Sequence, residues 1–91
     1  MDETQVIRVR YWAAARSAAG TAEETVEAAG PVSLTDLRAE LVRRHADSRL
    51  ADVIAVCSVL VGDQPVSTRD PGAVAVEPGS TVEFLPPFAG G

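Results

Sequence analysis

The sequence has 91 residues, 46% of them hydrophobic, and its 13 acidic side chains outnumber eight basic ones. This length suits a single domain with its own core, and the net charge of −5 disfavours binding to nucleic acid, which requires a basic surface. All eight basic residues are arginine and there is one cysteine, so lysine Schiff-base chemistry and an internal disulfide are both excluded.

The N-terminal third of the chain predicts a strand, a short helix and a second strand. Residues 5–12 alternate between β-branched or aromatic residues and arginine, which is typical of a half-buried strand with its odd-numbered residues facing the core. Residues 13–19 are rich in alanine and predict a short helix that ends at Gly20. Residues 23–28 predict a second, weaker strand.

The most specific local pattern predicts the main helix, over residues 34–45. Ser33 begins a capping box that ends at Asp36, so its hydroxyl should accept a hydrogen bond from the first turn. Four apolar residues then recur at helical spacing and form one stripe. They are Leu34, Leu37, Leu41 and Val42. Glu40 and Arg44 are four residues apart and should pair on the exposed side.

The second half predicts short strands separated by turns. A helical turn is expected within residues 47–54. Strands are predicted over residues 56–61, 64–66, 74–76 and 81–85. Gly62 and Asp63 indicate a hairpin, and Pro65 suits only an edge strand. These elements predict an α+β fold, in which a small mixed β-sheet packs on one main α-helix.

Few residues of the chain indicate catalysis. Cys57 falls in the predicted apolar strand, where a free cysteine is most often a small buried hydrophobe. His45 lies at a helix C-terminus, where a favourable interaction with the helix dipole accounts for a histidine without any catalytic role. Glu23 and Glu24 are expected on a solvated edge. The sequence has neither clustered His and Cys residues for a metal nor a glycine-rich phosphate loop. We therefore predict no active site within the chain, no bound metal and no permanently bound cofactor.

The C-terminal residues are the candidate functional site. Pro86 and Pro87 follow the last predicted strand and favour an extended path away from it. Gly90 and Gly91 lack a Cβ, so they could enter a channel that is too narrow for any side chain. The α-carboxylate of Gly91 would be the reactive group, once it is activated, for example as a mixed anhydride with AMP.

These residues resemble the MoaD/ThiS family of ubiquitin-like sulfur carriers, most closely its MoaD branch, the small subunits of molybdopterin synthase. The most specific element is the terminal pattern Pro-Pro-x-x-Gly-Gly after a strand, and the capped helix and the alanine-rich turn that ends at Gly20 are similar too. The resemblance implies a ubiquitin-like β-grasp domain over residues 1–85 and a flexible tail over residues 86–91. Extra residues, relative to compact members, lie between Ser67 and Val76.

The resemblance also implies a reaction and a set of partners. An adenylating enzyme related to ubiquitin activators would use ATP and magnesium to adenylate Gly91, and a sulfurtransferase would convert it to a thiocarboxylate. The tail would enter a MoaE-like large subunit, forming a heterotetramer in which that subunit supplies the catalytic residues. Sulfur would pass to cyclic pyranopterin monophosphate in molybdenum cofactor biosynthesis. Gly90 would pass through the narrow channel, and the docking arm would be Pro86, Pro87, Phe88 and Ala89.

Other functions fit the same residues. A sibling sulfur carrier could serve thiamine thiazole synthesis, as ThiS does, or cysteine biosynthesis, although Pro86 and Pro87 favour the MoaD branch. A non-covalent ubiquitin-like binding module would have an idle tail that tolerates extension. An independent small enzyme is disfavoured because the catalytic groups are missing. Because no apolar run has the length of a membrane span and residues 1–5 are unlike a signal peptide, we expect a soluble, cytoplasmic protein that binds no membrane.

Overall fold

A computed structural model describes residues 5–66 and 70–87. The strands in this part of the chain are β1 (Val6–Tyr11), β2 (Glu23–Glu27), β3 (Val32–Ser33), β4 (Ser58–Val61), β5 (Gln64–Val66), β6 (Ala75–Val76) and β7 (Thr81–Leu85). The helices are α1 (Ala13–Ala19), α2 (Leu34–Arg44) and α3 (Leu50–Ile54), and a 3₁₀ turn spans Pro71–Ala73. The α+β class predicted from the sequence is confirmed.

The main sheet is mixed and has five strands in the order β2-β1-β7-β4-β5. The central strand, β7, runs parallel to β1, and the other neighbouring pairs are antiparallel. Odd-numbered residues of β1 face the core, as the alternation predicts. The largest fully buried side chains come from the inner face of this sheet, from the helices and from β6. They are Phe84, Ile7, Leu34, Leu37, Leu41, Leu50, Val9, Val76 and Val82.

Helix α2 packs on the inner face of the sheet through its leucine stripe. The hydroxyl of Ser33 accepts a hydrogen bond from the Asp36 N–H at 3.0 Å, which confirms the predicted cap. Three leucines of the stripe are buried, whereas Val42 is only half-buried. The predicted pair is also present, because Arg44 Nε donates to Glu40 Oε2 at 2.8 Å.

A two-stranded ribbon, β3 with β6, lies apart from the main sheet. Val32 pairs with Val76 and Ser33 with Ala75, so β6 begins one residue later than predicted. The 3₁₀ turn, which precedes β6 in the chain, contacts α2. Residues 70–76 therefore pack on the domain, while residues 67–69 lie outside the described part.

The region from α3 to β5 corrects one predicted boundary. The strand predicted over residues 56–61 begins at Ser58, because Val56 and Cys57 continue the turn that follows α3 through bonds from their N–H groups to Val53 and Ile54. The β4–β5 hairpin is confirmed, and Gly62 adopts the left-handed conformation that its turn requires, with φ 65°. β5, which contains Pro65, is an edge strand as predicted.

The last strand ends at Leu85, where the predicted tail begins. Pro86 is buried and Pro87 is exposed. Residues 88–91 lie outside the described part of the chain, so the division into a domain and a flexible tail stays a prediction. None of the helices in residues 5–66 and 70–87 is long and apolar enough to cross a membrane.

Candidate functional site: where the C-terminal tail leaves the sheet

The tail leaves the domain beside Trp12. Because β1 and β7 are parallel and paired through Tyr11 and Phe84, their carboxyl ends meet at one end of the sheet. The Trp12 N–H donates to the Phe84 carbonyl at 3.2 Å, one residue before β7 ends. Pro86, the first residue after β7, is buried and is therefore held against the domain. The start of the tail is therefore attached to a rigid part of the fold.

The outer face of the sheet at this end carries a mixed apolar and charged surface, which we call the tail face. It consists of Arg10, Trp12, Leu60, Glu83 and Leu85. Glu83 is the central residue, because it lies between Arg10 on β1 and Leu60 on β4 in the strand register. Leu60 and Leu85 are half-buried although they point away from the core. The tail face therefore combines apolar side chains with a carboxylate and a guanidinium, and protein–protein interfaces commonly contain both apolar and polar groups.

Trp12 is held in place on the tail face before any partner binds. Its side chain is 41% exposed. Its indole Nε1–H donates to Glu83 Oε1 at 2.9 Å, and the Arg10 guanidinium lies 5.0 Å from the centroid of its ring. These two contacts restrict the indole rotamer, so little side-chain entropy remains to be lost on binding.

The backbone beside Trp12 is strained. Ala13, the first residue of α1, has φ 49°, in the left-handed region where a residue with a Cβ costs about 1–2 kcal/mol. This residue turns the chain from β1 into α1, and Trp12 lies at the corner. Strain of this kind persists where the surrounding structure imposes it, and it is concentrated at functional sites.

Behind the tail face, a polar cluster joins β1, β2 and α2. The Tyr11 hydroxyl donates to Glu24 Oε2, from which His45 Nε2 lies 2.7 Å away. Arg44 Nη1 donates to Glu24 Oε1 at 3.1 Å. The solvated edge predicted for Glu24 is therefore wrong, since only 18% of that side chain is exposed and three residues bind it. His45 is the C-cap residue of α2, as expected, and its contact with Glu24 also links the end of this helix to β2.

The cluster shifts the acidity of its members. Burial, together with the hydrogen bond to Glu24, raises the pKa of Tyr11 well above its usual range. Burial alone would raise the pKa of Glu24, but hydrogen bonds from Tyr11, His45 and Arg44 outweigh it and hold that pKa below its ordinary value of 4.5. Tyr11 also stacks on Phe84, with ring centroids 6.1 Å apart. The cluster therefore supports the strand from which the tail extends.

We predict that Glu24 makes the fold sensitive to acid. Because the folded state lowers its pKa, the stabilisation is present above about pH 4.5 and is lost as pH falls through the folded-state pKa. Urea unfolding midpoints from neutral pH to about pH 3 should fall more steeply for the native protein than for Glu24→Gln. Hydrogen bonds from Arg44 and Arg43 also lower the pKa of Glu40. Because Glu40 is present in both proteins, its contribution to the acid sensitivity is common to the two curves. Parallel curves would contradict the prediction.

Cys57 and His45 do not form a nucleophilic pair. Cys57 donates to the Val53 carbonyl at 3.2 Å, and burial raises its pKa to about 11, so the thiol is protonated near neutral pH. His45 instead contacts Glu24 and lies edge-on to the Tyr11 ring. Within residues 5–66 and 70–87, no group of His, Cys, Asp and Glu side chains is arranged to hold a metal ion.

The predicted site residues fall partly within the described chain. Pro86 and Pro87 lie at the end of β7, whereas Phe88, Ala89, Gly90 and Gly91 lie outside the described residues. The exposed side of the last strand is expected from the sequence to contact a partner, but the role of Trp12 on this face was missed. The signal was available in the alternation of β1, which places Trp12 on the same face as the two arginines and therefore outside the core.

Comparisons with known proteins agree with this architecture. The model of the ThiS family matches residues 9–91, a span that includes Gly90 and Gly91. The molybdopterin synthase sulfur carrier subunit of Chlamydomonas reinhardtii is 31% identical over 85 residues, which cover 93% of this chain and 98% of that protein.

Solved structures share the fold at lower identity. The crystal structure of small archaeal modifier protein 1 from Haloferax volcanii has a TM-score of 0.76 and 20% identity, covering 94% of this chain and 99% of that one. A chain in the complex of subunits 1 and 2 of molybdopterin-converting factor from Helicobacter pylori has a TM-score of 0.66 and 21% identity, with coverage of 94% and 99%. The chain belongs to the ThiS family and is a ubiquitin-like β-grasp protein of the MoaD/ThiS sulfur-carrier type.

Proposed function

We propose that this chain is the sulfur-donating small subunit of a molybdopterin synthase and carries sulfur as a thiocarboxylate on Gly91. The observation that carries the proposal is the Pro-Pro-x-x-Gly-Gly tail, attached at the end of β7 and included in the family match. The relative from Chlamydomonas reinhardtii, which bears the corresponding name, covers almost the whole chain. The thiamine and cysteine siblings share the terminal Gly-Gly, and the double proline favours the molybdopterin role.

The chemistry requires three steps at the tip of the tail. An oxygen of the Gly91 carboxylate attacks the α-phosphorus of ATP, so that pyrophosphate leaves and an acyl-adenylate forms. The terminal sulfur of a sulfurtransferase persulfide then attacks the acyl carbon and AMP leaves, which forms an acyl disulfide. A thiol reduces the S–S bond of that disulfide and is itself oxidised to a disulfide, so the thiocarboxylate is released and one oxygen has been exchanged for sulfur. Glycine at both terminal positions lets the acyl group reach a narrow site in another protein. The activating enzyme binds the ATP and magnesium, and this chain provides the acyl group.

The tail face is the proposed docking surface for the large subunit. It adjoins the start of the tail, so a partner that encloses residues 86–91 must approach this end of the sheet. Trp12, which is exposed and fixed by Glu83, has the properties of an interface anchor. Phe88 would add a second aromatic contact from the tail. The Helicobacter pylori relative is itself found in a complex with its subunit 2.

We predict that Trp12→Ala weakens binding to the large subunit by at least about tenfold, which corresponds to ~1.4 kcal/mol, because truncation of an aromatic anchor typically costs that much or more. Isothermal titration calorimetry measures the loss directly. Trp12→Phe should recover part of the affinity because it keeps a ring. Val42→Ala, on α2 at the opposite side of the sheet, is the matched control and should bind normally. Equal affinities for Trp12→Ala and the control would contradict the docking surface.

The acceptor is identified by reconstitution. The thiocarboxylated chain and a large subunit should convert cyclic pyranopterin monophosphate to molybdopterin, with loss of sulfur from Gly91. A parallel reaction with the thiazole synthase system tests the ThiS-like alternative. Turnover in that reaction alone would move the chain to the thiamine branch and keep the carrier chemistry.

A further inference from the structure

Strand β2 has one edge that faces no other described strand. β2 is the first strand in the sheet order, and among the strands in residues 5–66 and 70–87 it pairs with β1 alone. The Ala28 N–H donates to the Gln5 carbonyl at 3.0 Å, and the Tyr11 N–H donates to the Ala22 carbonyl at 2.9 Å. Because hydrogen-bonded pairs alternate in an antiparallel ladder, the even-numbered residues of β2 bond to β1. The odd-numbered residues direct their N–H and C=O groups away from the sheet.

The fold already places a cationic donor on this edge. Arg44 Nη1 donates to the outward-facing Thr25 carbonyl at 2.8 Å. The same guanidinium binds the carboxylates of Glu24 and Glu40 on either side. A positively charged donor therefore satisfies both the backbone and the neighbouring acidic side chains at this position.

A groove of about 490 Å³ runs along the edge, between β2 and α2. Its apolar lining consists of Val26, Val32 and Leu37, which are buried or half-buried. Its acidic lining consists of Glu27, Asp36 and Glu40. A strand added to β2 would direct alternate side chains over the apolar lining, and the remaining ones would lie beside Glu23 and Glu27.

The charges select the kind of strand that fits. On its paired side, β2 faces a strand in which basic and apolar residues alternate. Arg10 and Arg8 of β1 lie opposite Glu23 and Thr25, and the alternating residues Val9 and Ile7 are buried. A second copy of β2, paired in antiparallel fashion about Thr25, would instead place Glu23 opposite Glu27 of the other copy. Like charges directly opposite each other destabilise a sheet. The edge therefore favours a basic partner over self-association.

We propose that the β2 edge and its groove bind an extended segment of a partner protein in which basic and apolar residues alternate, by β-strand addition. The segment replaces Arg44 at the Thr25 carbonyl with its own backbone N–H and places cationic side chains opposite Glu23 and Glu27. β2 is two strands away from β7, roughly 10 Å, so one partner can bind this edge while the tail is engaged. The interaction is independent of sulfur transfer.

The test uses a fluorescent peptide with the core Arg-Val-Thr-Val-Arg, which can pair with β2 in antiparallel fashion with its central threonine opposite Thr25. Fluorescence anisotropy should show saturable binding to the full chain. A Glu-Val-Thr-Val-Glu core should bind at least about tenfold more weakly, and so should Arg-Val-Pro-Val-Arg, which lacks the central N–H. Amide chemical-shift changes should centre on residues 23–27 and 36–40. Binding that is insensitive to these changes, shifts centred elsewhere or an absence of saturable binding would each overturn the proposal.

Two substitutions at one position provide the matched protein control. Thr25→Pro removes an N–H that points away from β1, so no ladder bond is lost and the edge strand should tolerate it. Thr25→Val keeps that N–H. Binding should fall at least about tenfold in Thr25→Pro relative to Thr25→Val, and equal binding by two folded variants would overturn the proposal. If Thr25→Pro fails to fold, the proline-containing peptide applies the same test to the native chain.

Discussion

A single alanine added after Gly91 should abolish sulfur transfer while leaving the fold unchanged. The extension converts the Gly91 carboxylate to an amide, so no acyl-adenylate can form on that residue, and it places a Cβ where the proposed channel admits glycine alone. The domain itself ends at β7, six residues earlier, so its core should be unaffected. Thiocarboxylate formation and molybdopterin production measure the loss, and circular dichroism measures the fold.

The control for this extension is one alanine added before Met1, which changes the mass equally and keeps the C-terminus. That variant should retain full activity. Molybdopterin production by the C-terminally extended chain would refute the thiocarboxylate account. It would favour the binding-module alternative, in which the tail is idle and tolerates extension.

Truncation of Phe84 should produce the largest loss of stability in the domain. Phe84 is fully buried on the central strand β7, stacks on Tyr11, and lies opposite Val59 in the register. Phe→Ala substitutions in well-packed cores cost about 3–5 kcal/mol, a large part of the ~5–15 kcal/mol that stabilises a typical domain. Urea unfolding should therefore show a much lower midpoint for Phe84→Ala.

Val56→Ala is the control for this substitution, because 62% of Val56 is exposed and its truncation should change stability by about 0.5 kcal/mol or less. A loss below about 1.5 kcal/mol in Phe84→Ala would contradict the assignment of this residue to the centre of the core. The two predictions are separable, since the tail extension alters activity alone and Phe84→Ala alters the fold.

Local signals were sufficient to predict most of the elements. The Ser33 cap and the leucine stripe located α2, and Gly20 marked the end of α1 with φ 77°. Strict alternation located β1 and assigned its faces correctly. These features depend on residues within one or two turns of each other, which is why sequence patterns report them.

Features that depend on tertiary contacts were not predictable in this way. Strand β3 has two residues, too few for any periodicity, so neither β3 nor its pairing with the predicted strand β6 could be read from the sequence. Glu24 and His45 are 21 positions apart, so their contact is invisible until α2 packs on β2. Val56 is apolar and follows the pattern of a strand, yet the turn after α3 places it in solvent. The roles assigned to residues 88–91 stay predictions, because they depend on partner proteins.

Intact-mass spectrometry of the chain, after incubation with ATP, magnesium, a cognate activating enzyme and a sulfur source, tests directly whether Gly91 carries sulfur. The expected result is a mass gain equal to the replacement of one oxygen by sulfur, which fragmentation localises to Gly91. An unchanged mass, with an activator shown to be active on its own carrier, would contradict the assignment of Gly91 as the site that carries sulfur.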